Sequence, residues 1–207
     1  MNDFDHPIFT ESLRRIRLWL GETGLGGVER DVLERLVHSS GDLSLAPDLR
    51  FSARACALGT AALSSGAPIL TDTAMAAAAV GPMARRTFAN PVWSVLTWAP
   101  AVAPEGGTRA AEGMAAALKR HPGAVVLIGS APTALERLLA LTESGQVEPP
   151  ALVIGMPVGF VGVAESKRRL AGSGLPQIRL DGSRGGAALV AAAANALLRW
   201  TWLQDRP

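Results

Sequence analysis

Hydrophobic and polar positions alternate with two different periods along this chain. Near the start, Leu13, Ile16 and Leu20 fall on one side of a 3.6-residue period, which predicts a helix over Thr10–Leu20 with Arg14, Arg15 and Arg17 directed elsewhere. A second stripe, Val28, Val32 and Leu36, predicts a helix from Gly27 to His38, with Gly41 as its stop. From Ser52 onward the pattern changes. Short β-rich, mostly apolar runs alternate with amphipathic or Ala-rich stretches. The runs are Ala67–Asp72, Val92–Trp98, Ala124–Gly129, Ala151–Gly155 and, more weakly, Gln177–Leu180. Between and after them, helices are predicted from Ser52 to Ser64, Thr73 to Val80, Thr108 to Arg120, from Pro132, from Val163 to Ala171 and from Gly185 to Trp202. Strands without a polar face must be covered on both sides. The expected fold is therefore α/β, three layers, with a mostly parallel, doubly wound sheet. Neither a repeat nor a linker divides residues 1–207, so one domain is expected.

Composition narrows the class. With 48% apolar and 18% charged residues, the chain has the balance of a globular protein able to bury roughly 70% of its unfolded surface. The pI near 9.3 looks like a nucleic-acid signal, but it follows from the absence of tyrosine and a formal charge of only +2. No dense basic run with interleaved aromatics occurs, which argues against a nucleic-acid groove. The longest apolar run, Gly186 to Leu203, is broken by Asn195 and Arg199, so a buried helix is expected there instead of a membrane span. The single cysteine, Cys56, leaves no internal disulfide and no Cys-based zinc site. No leader-like segment follows Met1, which makes the cytoplasm the expected compartment.

In open parallel sheets, ligands bind beyond the carboxyl ends of strands. Four such junctions are rich in small residues: Thr71-Asp72-Thr73, Gly129-Ser130-Ala131, Gly155–Gly162 and Gly182–Gly186. Each offers bare N–H groups at a helix start, suited either to an anion or to ordinary tight turns. None carries a nucleotide fingerprint, and Lys167, inside a helix, reads as a solvated surface residue. No spacing suited to a catalytic metal appears. Ser39 and Ser40 lack the strand–turn–helix setting of a hydrolase nucleophile. His38, at a helix end, is the one imidazole placed for proton chemistry near neutral pH, although such a residue can simply satisfy the helix's last carbonyls. Arg35 projects from the same side of that last turn. Arg109 stands at a helix N-terminus, where a cation is misplaced unless an anion accompanies it or solvent screens it. Ser12, Arg35, His38 and Arg109 together would suit a large polycarboxylate that must be held and protonated.

These residues sit in longer recognisable strings: Glu11-Ser12; Arg35–Asp42; Gly66–Met75; Thr108-Arg109; Ala131–Leu135; and, most specific, Pro150–Lys167, which includes Gly155-Met156-Pro157-Val158-Gly159-Phe160-Val161-Gly162. Across nearly the whole chain they resemble the precorrin-8X methylmutase family of cobalamin biosynthesis, which also acts on cobalt-precorrin-8. The resemblance implies a three-layer α/β fold, a homodimer, and a corrinoid (tetrapyrrole) site at the subunit interface. It implies an isomerase that moves a methyl group from C11 to C12 of ring C without a cofactor, giving hydrogenobyrinate or its cobalt form. His38 matches the family's catalytic histidine, Ser12 and Arg35 match substrate contacts, and Arg109 matches an arginine near the substrate. Thr71, Asp72, Gly159 and Phe160 are the junction residues expected to touch the substrate, with Phe160 and Met75 as candidate apolar walls. A sigmatropic shift of this kind needs a macrocycle held still and electronically biased, and protonating the ring-C nitrogen would supply the bias. A non-catalytic corrinoid carrier is the alternative. Two departures stand out: Ser130 where asparagine is common, and Gly182–Ala187 in place of a more basic loop.

Overall fold

The computed structural model describes residues 4–205, and its chain folds around a six-stranded sheet. The elements in chain order are helix α1 (Pro7–Leu20), α2 (Gly27–Ser40), a 3-10 helix (Leu43–Asp48), strand β1 (Leu49–Phe51), α3 (Ala55–Ser64), β2 (Ile69–Thr71), α4 (Ala74–Arg86), β3 (Val92–Ser94) and a second 3-10 helix (Val95–Trp98). They continue with α5 (Arg109–Arg120), β4 (Val125–Ile128), α6 (Pro132–Glu143), β5 (Leu152–Gly155), α7 (Val163–Gly172), β6 (Gln177–Leu180) and α8 (Ala187–Gln204). The strand order is β1-β6-β5-β4-β2-β3, parallel except for β1.

The all-apolar runs do become the central strands, and their alternate residues feed two cores. Ile69, Val125, Leu127, Leu152 and Ile154 face the core built with α2, α3, α4 and α8. Leu70, Val126, Ile128 and Val153 face the one built with α5 and α6. After β2 the chain steps outward to β3, then returns across β2 to build β4, β5 and β6 on its other side. The reversal of strand order therefore lies between β2 and β4.

Several boundaries differ from the sequence expectations for identifiable reasons. Helix α1 begins at Pro7, not Thr10, because His6 caps it: Ile8 N–H donates to His6 Nδ1 at 3.2 Å. Helix α4 runs past Val80 through Pro82 to Arg86. The stretch Val92–Trp98 is strand only as far as Ser94 and then tightens into a 3-10 turn. Ser52 does not cap α3; Arg54, at φ 61°, precedes it, while Ser52 Oγ accepts from Gln177 N–H. Strand β1, three residues long with Arg50 turned outward, has no period that a sequence pattern could register.

The glycine-rich junctions exist because neighbouring loops press backbone against backbone. A Cβ on Gly185 would lie 1.9 Å from the Met156 carbonyl oxygen, and one on Gly129 would lie 2.7 Å from the Ala187 nitrogen. Hydrogen bonds stitch the same loops together: Val158 N–H to Gly129 O, Gly186 N–H to Met156 O, and Gly159 N–H to Ser183 O. Lys167 anchors them from behind. Contrary to the surface position expected, it is 1% exposed and donates to Gly182 O at 2.8 Å and Arg184 O at 2.6 Å. Burial pushes its ammonium down to about 8.

Candidate active site

Helix α2 carries the centre of the site, and its neighbours fix it in place. Glu34, fully buried, accepts from Arg17 of α1 at 2.8 Å and from Arg30 at 3.1 Å. Arg199 of α8 donates to Asp5 at 2.9 Å and to Asp31 at 3.2 Å. These pairs lock α1 and α8 against α2. Gly41, at φ 69°, ends α2 in the left-handed conformation and donates to Val37 O at 2.8 Å.

That packing brings Ser12, Arg35 and His38 together. Ser12 Oγ lies 2.9 Å from His38 Nδ1. Arg35 stacks its guanidinium on Phe9, 4.7 Å from the ring centroid, and His38 meets the same ring edge-on at 5.1 Å. Phe9 had not been singled out in the sequence. It sits one turn before Ser12, outside the helix that the apolar period predicts from Thr10, and only Pro7, at the first position of α1, marks the earlier start.

Arg35 stands apart electrostatically. Arg17, Arg30 and Arg199 all have carboxylate partners, whereas Arg35 forms no ion pair or hydrogen bond among the described residues, and its Nε is buried without a partner. Burial pulls its guanidinium below the usual range. Arg35, His38, Ala79, Ala188, Ala192 and Asn195 line a cleft of about 300 Å³ between α2, α4 and α8. Across the Ser12–His38 hydrogen bond lies a groove of about 550 Å³ lined by Pro7, Ile8, Glu11, Ser12, Arg15 and Trp19. His38 is surface-accessible at the boundary between them. Partial burial, and then repulsion from Arg35, hold its imidazole below the ordinary histidine range. A neutral ring at neutral pH, oriented by Ser12 at Nδ1, leaves Nε2 for a ligand.

The other expected contacts fall elsewhere. Thr71 and Asp72 lie at the crevice where strand order reverses, but the protein uses them itself. Thr71 Oγ donates to Thr73 O at 2.8 Å. Asp72, 1% exposed, accepts the backbone N–H groups of Ser130 at 2.6 Å and Ala131 at 2.8 Å. Its Oδ2 thus holds the two N–H groups of the loop that leads into α6 and fills that anion position with a residue of this chain, while Oδ1 is buried without a hydrogen-bond partner. Burial still raises its carboxyl, opposed by those N–H groups. Ser130 contributes backbone here, so the serine-for-asparagine departure leaves the contact intact. Asp72→Ala is expected to cost about 2 kcal/mol, because two part-buried donors lose a shared acceptor. Urea unfolding at neutral pH measures it, and an unchanged midpoint would remove the anchoring role.

Arg109 begins α5, on the opposite face of the sheet from α2, and donates to Pro100 O at 2.8 Å. It is exposed and shares no hydrogen bond or ion pair with Ser12, Arg35 or His38. Gly159, at φ 140°, adopts a conformation reserved for glycine and supports the adjacent tip, where Phe160 is 96% exposed beside exposed Val158 and Val161. Met75 is exposed at the start of α4. In one chain, therefore, Ser12, Arg35 and His38 converge, while Arg109 and the Phe160 tip remain separate from them. Arg184 is also spent on protein, gripping Asp42, Ser44 and Asp48.

Comparison with known proteins places this arrangement. The family model described as "CbiC: Precorrin-8X methylmutase" matches residues 7–200. The chain belongs to the precorrin-8X methylmutase family. A precorrin-8X methylmutase of Pseudomonas aeruginosa is 43% identical over 198 residues, covering 92% of this chain and 93% of that protein. A cobalt-precorrin-8 methylmutase of Synechocystis is 36% identical over 216 residues, covering 98% and 99%. The solved precorrin-8X methylmutase of Thermus thermophilus superposes with a TM-score of 0.86 at 36% identity, covering 97% of this chain and 98% of that one. The family match begins at Pro7, the first residue of α1, so the helix that brings Ser12 to His38 is inside the methylmutase unit. The chain is thus an isomerase, a methylmutase of cobalamin biosynthesis. No helix among its described residues is long and apolar enough to cross a membrane.

Proposed function

We propose that the cleft at His38 binds precorrin-8X and that His38 protonates the macrocycle to drive migration of its C11 methyl group to C12, giving hydrogenobyrinate. The observation that carries this reading is a lone, half-buried arginine beside a serine-oriented histidine. An unpaired cation of that kind calls for an anionic ligand, and a corrinoid bears acetate and propionate arms. Ser12 sets the imidazole, Arg35 takes a peripheral carboxylate, and Nε2 of His38 addresses the ring. No nucleophile, metal or cofactor is needed for the shift itself. A positioned acid supplies about a hundred- to ten-thousandfold, the scale expected of the histidine.

Neither cleft alone, at about 300 and 550 Å³, encloses a substituted tetrapyrrole. A second copy of the chain is the proposed lid, and the site lies between the two. Exposed Ile8 and Trp19 beside Ser12 supply an apolar surface for that contact. The dimer also accounts for Arg109 and Phe160: from the partner copy they would reach a substrate that they cannot reach in their own chain. The proposed setting is the cytoplasm.

The deciding experiment mixes purified protein with precorrin-8X, and separately with cobalt-precorrin-8, and follows the visible spectrum to the product's bands while sedimentation reports mass. Conversion by a dimer is expected. A spectral shift on binding with no conversion would assign a carrier instead, and a monomer that turns over at full rate would remove the interface site.

A further inference from the structure

Arg184 lies in the loop after β6, the segment that stands in place of the family's more basic loop. Its guanidinium does not face a ligand. Nη1 donates to Asp42 Oδ2 at 3.1 Å and to Ser44 Oγ at 2.7 Å, and Nη2 donates to Ser44 O at 2.8 Å and to the Asp48 carboxylate. These partners lie at the start and end of the 3-10 helix that follows α2: Asp42 caps it, Ser44 is in its first turn and Asp48 is its last residue.

That turn is itself a ladder back into the helix. Asp42 accepts from Ser44 N–H at 2.8 Å, and its own N–H donates to Ser40 Oγ at 3.1 Å. Ser40 Oγ in turn donates to Leu36 O at 2.9 Å. His38 lies between the two ends of this last bond, on the last turn of α2. On the other side, the Arg184 loop is immobilised by Lys167, which takes both Gly182 O and Arg184 O, and by Ser183 O accepting from Gly159 N–H. A continuous set of hydrogen bonds thus runs from buried Lys167 through Arg184 and Asp42 to the helix end that presents the imidazole.

We infer that Arg184 is a positioning residue for His38, clamping the end of α2 from the β6–α8 loop, and that it makes no contact with the substrate. This rests on the reading of His38 as the acid. Chemistry favours an arginine here: its planar fork reaches two carboxylates and a serine at once, whereas a lysine could satisfy one of them at a time. Displacing a catalytic group by about 1 Å can cost roughly a hundredfold in rate.

Arg184→Gln tests the inference in the full-length protein. We expect kcat to fall about tenfold with KM within roughly twofold of the parent. In the free protein, the imidazole nitrogen signals of His38 should move while those of His6 and His121 stay. Arg184→Lys should recover part of the rate and part of the His38 signal. A raised KM with unchanged kcat would assign Arg184 to a substrate carboxylate, and an unmoved His38 signal would break the coupling; either overturns the inference. The His38 signal needs no substrate, so it decides the clamp even if His38→Ala proves active and the acid reading fails. Should Arg184→Gln not fold, Ser44→Ala, which removes one acceptor of Arg184 and the hydroxyl donor to Asp42, must give the same directions at smaller size, and a null result there overturns the clamp.

Discussion

His38→Asn should lower turnover by about a hundred- to ten-thousandfold while leaving corrinoid affinity within a few fold. Asparagine can keep a hydrogen bond to Ser12 and much of the ring's volume, so helix α2 and the cleft should persist; only the titratable proton is lost. Uniform binding is then preserved and transition-state stabilisation is not, which places the loss in kcat. The pH profile sharpens the test. Burial and Arg35 hold the free imidazole below the ordinary histidine range, so the acid form is scarce at neutral pH. For kcat/KM, which reports the free enzyme, activity should rise as pH falls toward that depressed value. In the complex, substrate carboxylates neutralise Arg35 and favour the imidazolium, so the corresponding limb of kcat should lie at higher pH. The asparagine variant should lose both limbs. Rates that stay at the parental level, or a profile that rises with pH through the same range, would remove His38 from the acid role.

How much of this was readable beforehand depends on whether a residue's role is decided locally. Ile69, Val125–Ile128 and Leu152–Gly155 announce themselves as doubly covered strands because every position is apolar, and they are buried throughout. Ser12, Arg35 and His38 could be nominated from two amphipathic helices and a resemblance, since they lie on faces that local periodicity defines. Asp72 could not be judged that way. Its carboxylate goes to Ser130 and Ala131, and this follows only from β2 lying beside β4, a pairing no local pattern encodes. The same applies to Lys167, whose acceptors are carbonyls of a loop on another strand. The small-residue junctions, expected to suit an anion or an ordinary tight turn, owe their glycines instead to neighbouring loops that press backbone against backbone. Phe9 was lost to a misplaced helix start. Histidine is not among the usual capping residues, so the boundary at His6 and Pro7 carried only the proline as a warning.

The charge that the sequence could not interpret is also the one whose removal should matter most for binding. On paper Arg35 has acidic neighbours at Asp31 and Glu34, and an intrahelical pair would be the ordinary expectation. In the fold those carboxylates are claimed by other arginines, Glu34 by Arg17 of α1 and by Arg30 of α2 itself, and Asp31 by Arg199 of α8. Arg35 is left on the Phe9 ring, its Nε buried and unsatisfied, in the wall of the cleft it shares with His38. Arg35→Met keeps the stem that packs on Phe9 and deletes the charge. The free protein should gain stability or remain unchanged, because desolvation of this half-buried cation outweighs the attraction of Asp31 and Asp5, and methionine keeps an apolar contact with Phe9. The complex should weaken: a charged hydrogen bond to a carboxylate arm is worth about 1.5–3 kcal/mol, or roughly ten- to a hundredfold in affinity. Two measurements on one variant therefore move in opposite directions, with thermal stability held or raised and corrinoid affinity lowered in a spectral titration. A variant that loses stability while binding as tightly as the parent would show that Arg35 serves the fold, and the anionic arm would have to be sought elsewhere. His38 should also respond. With the neighbouring positive charge gone, its imidazolium becomes easier to form, so the acid limb of kcat/KM in Arg35→Met should shift to higher pH even as binding weakens.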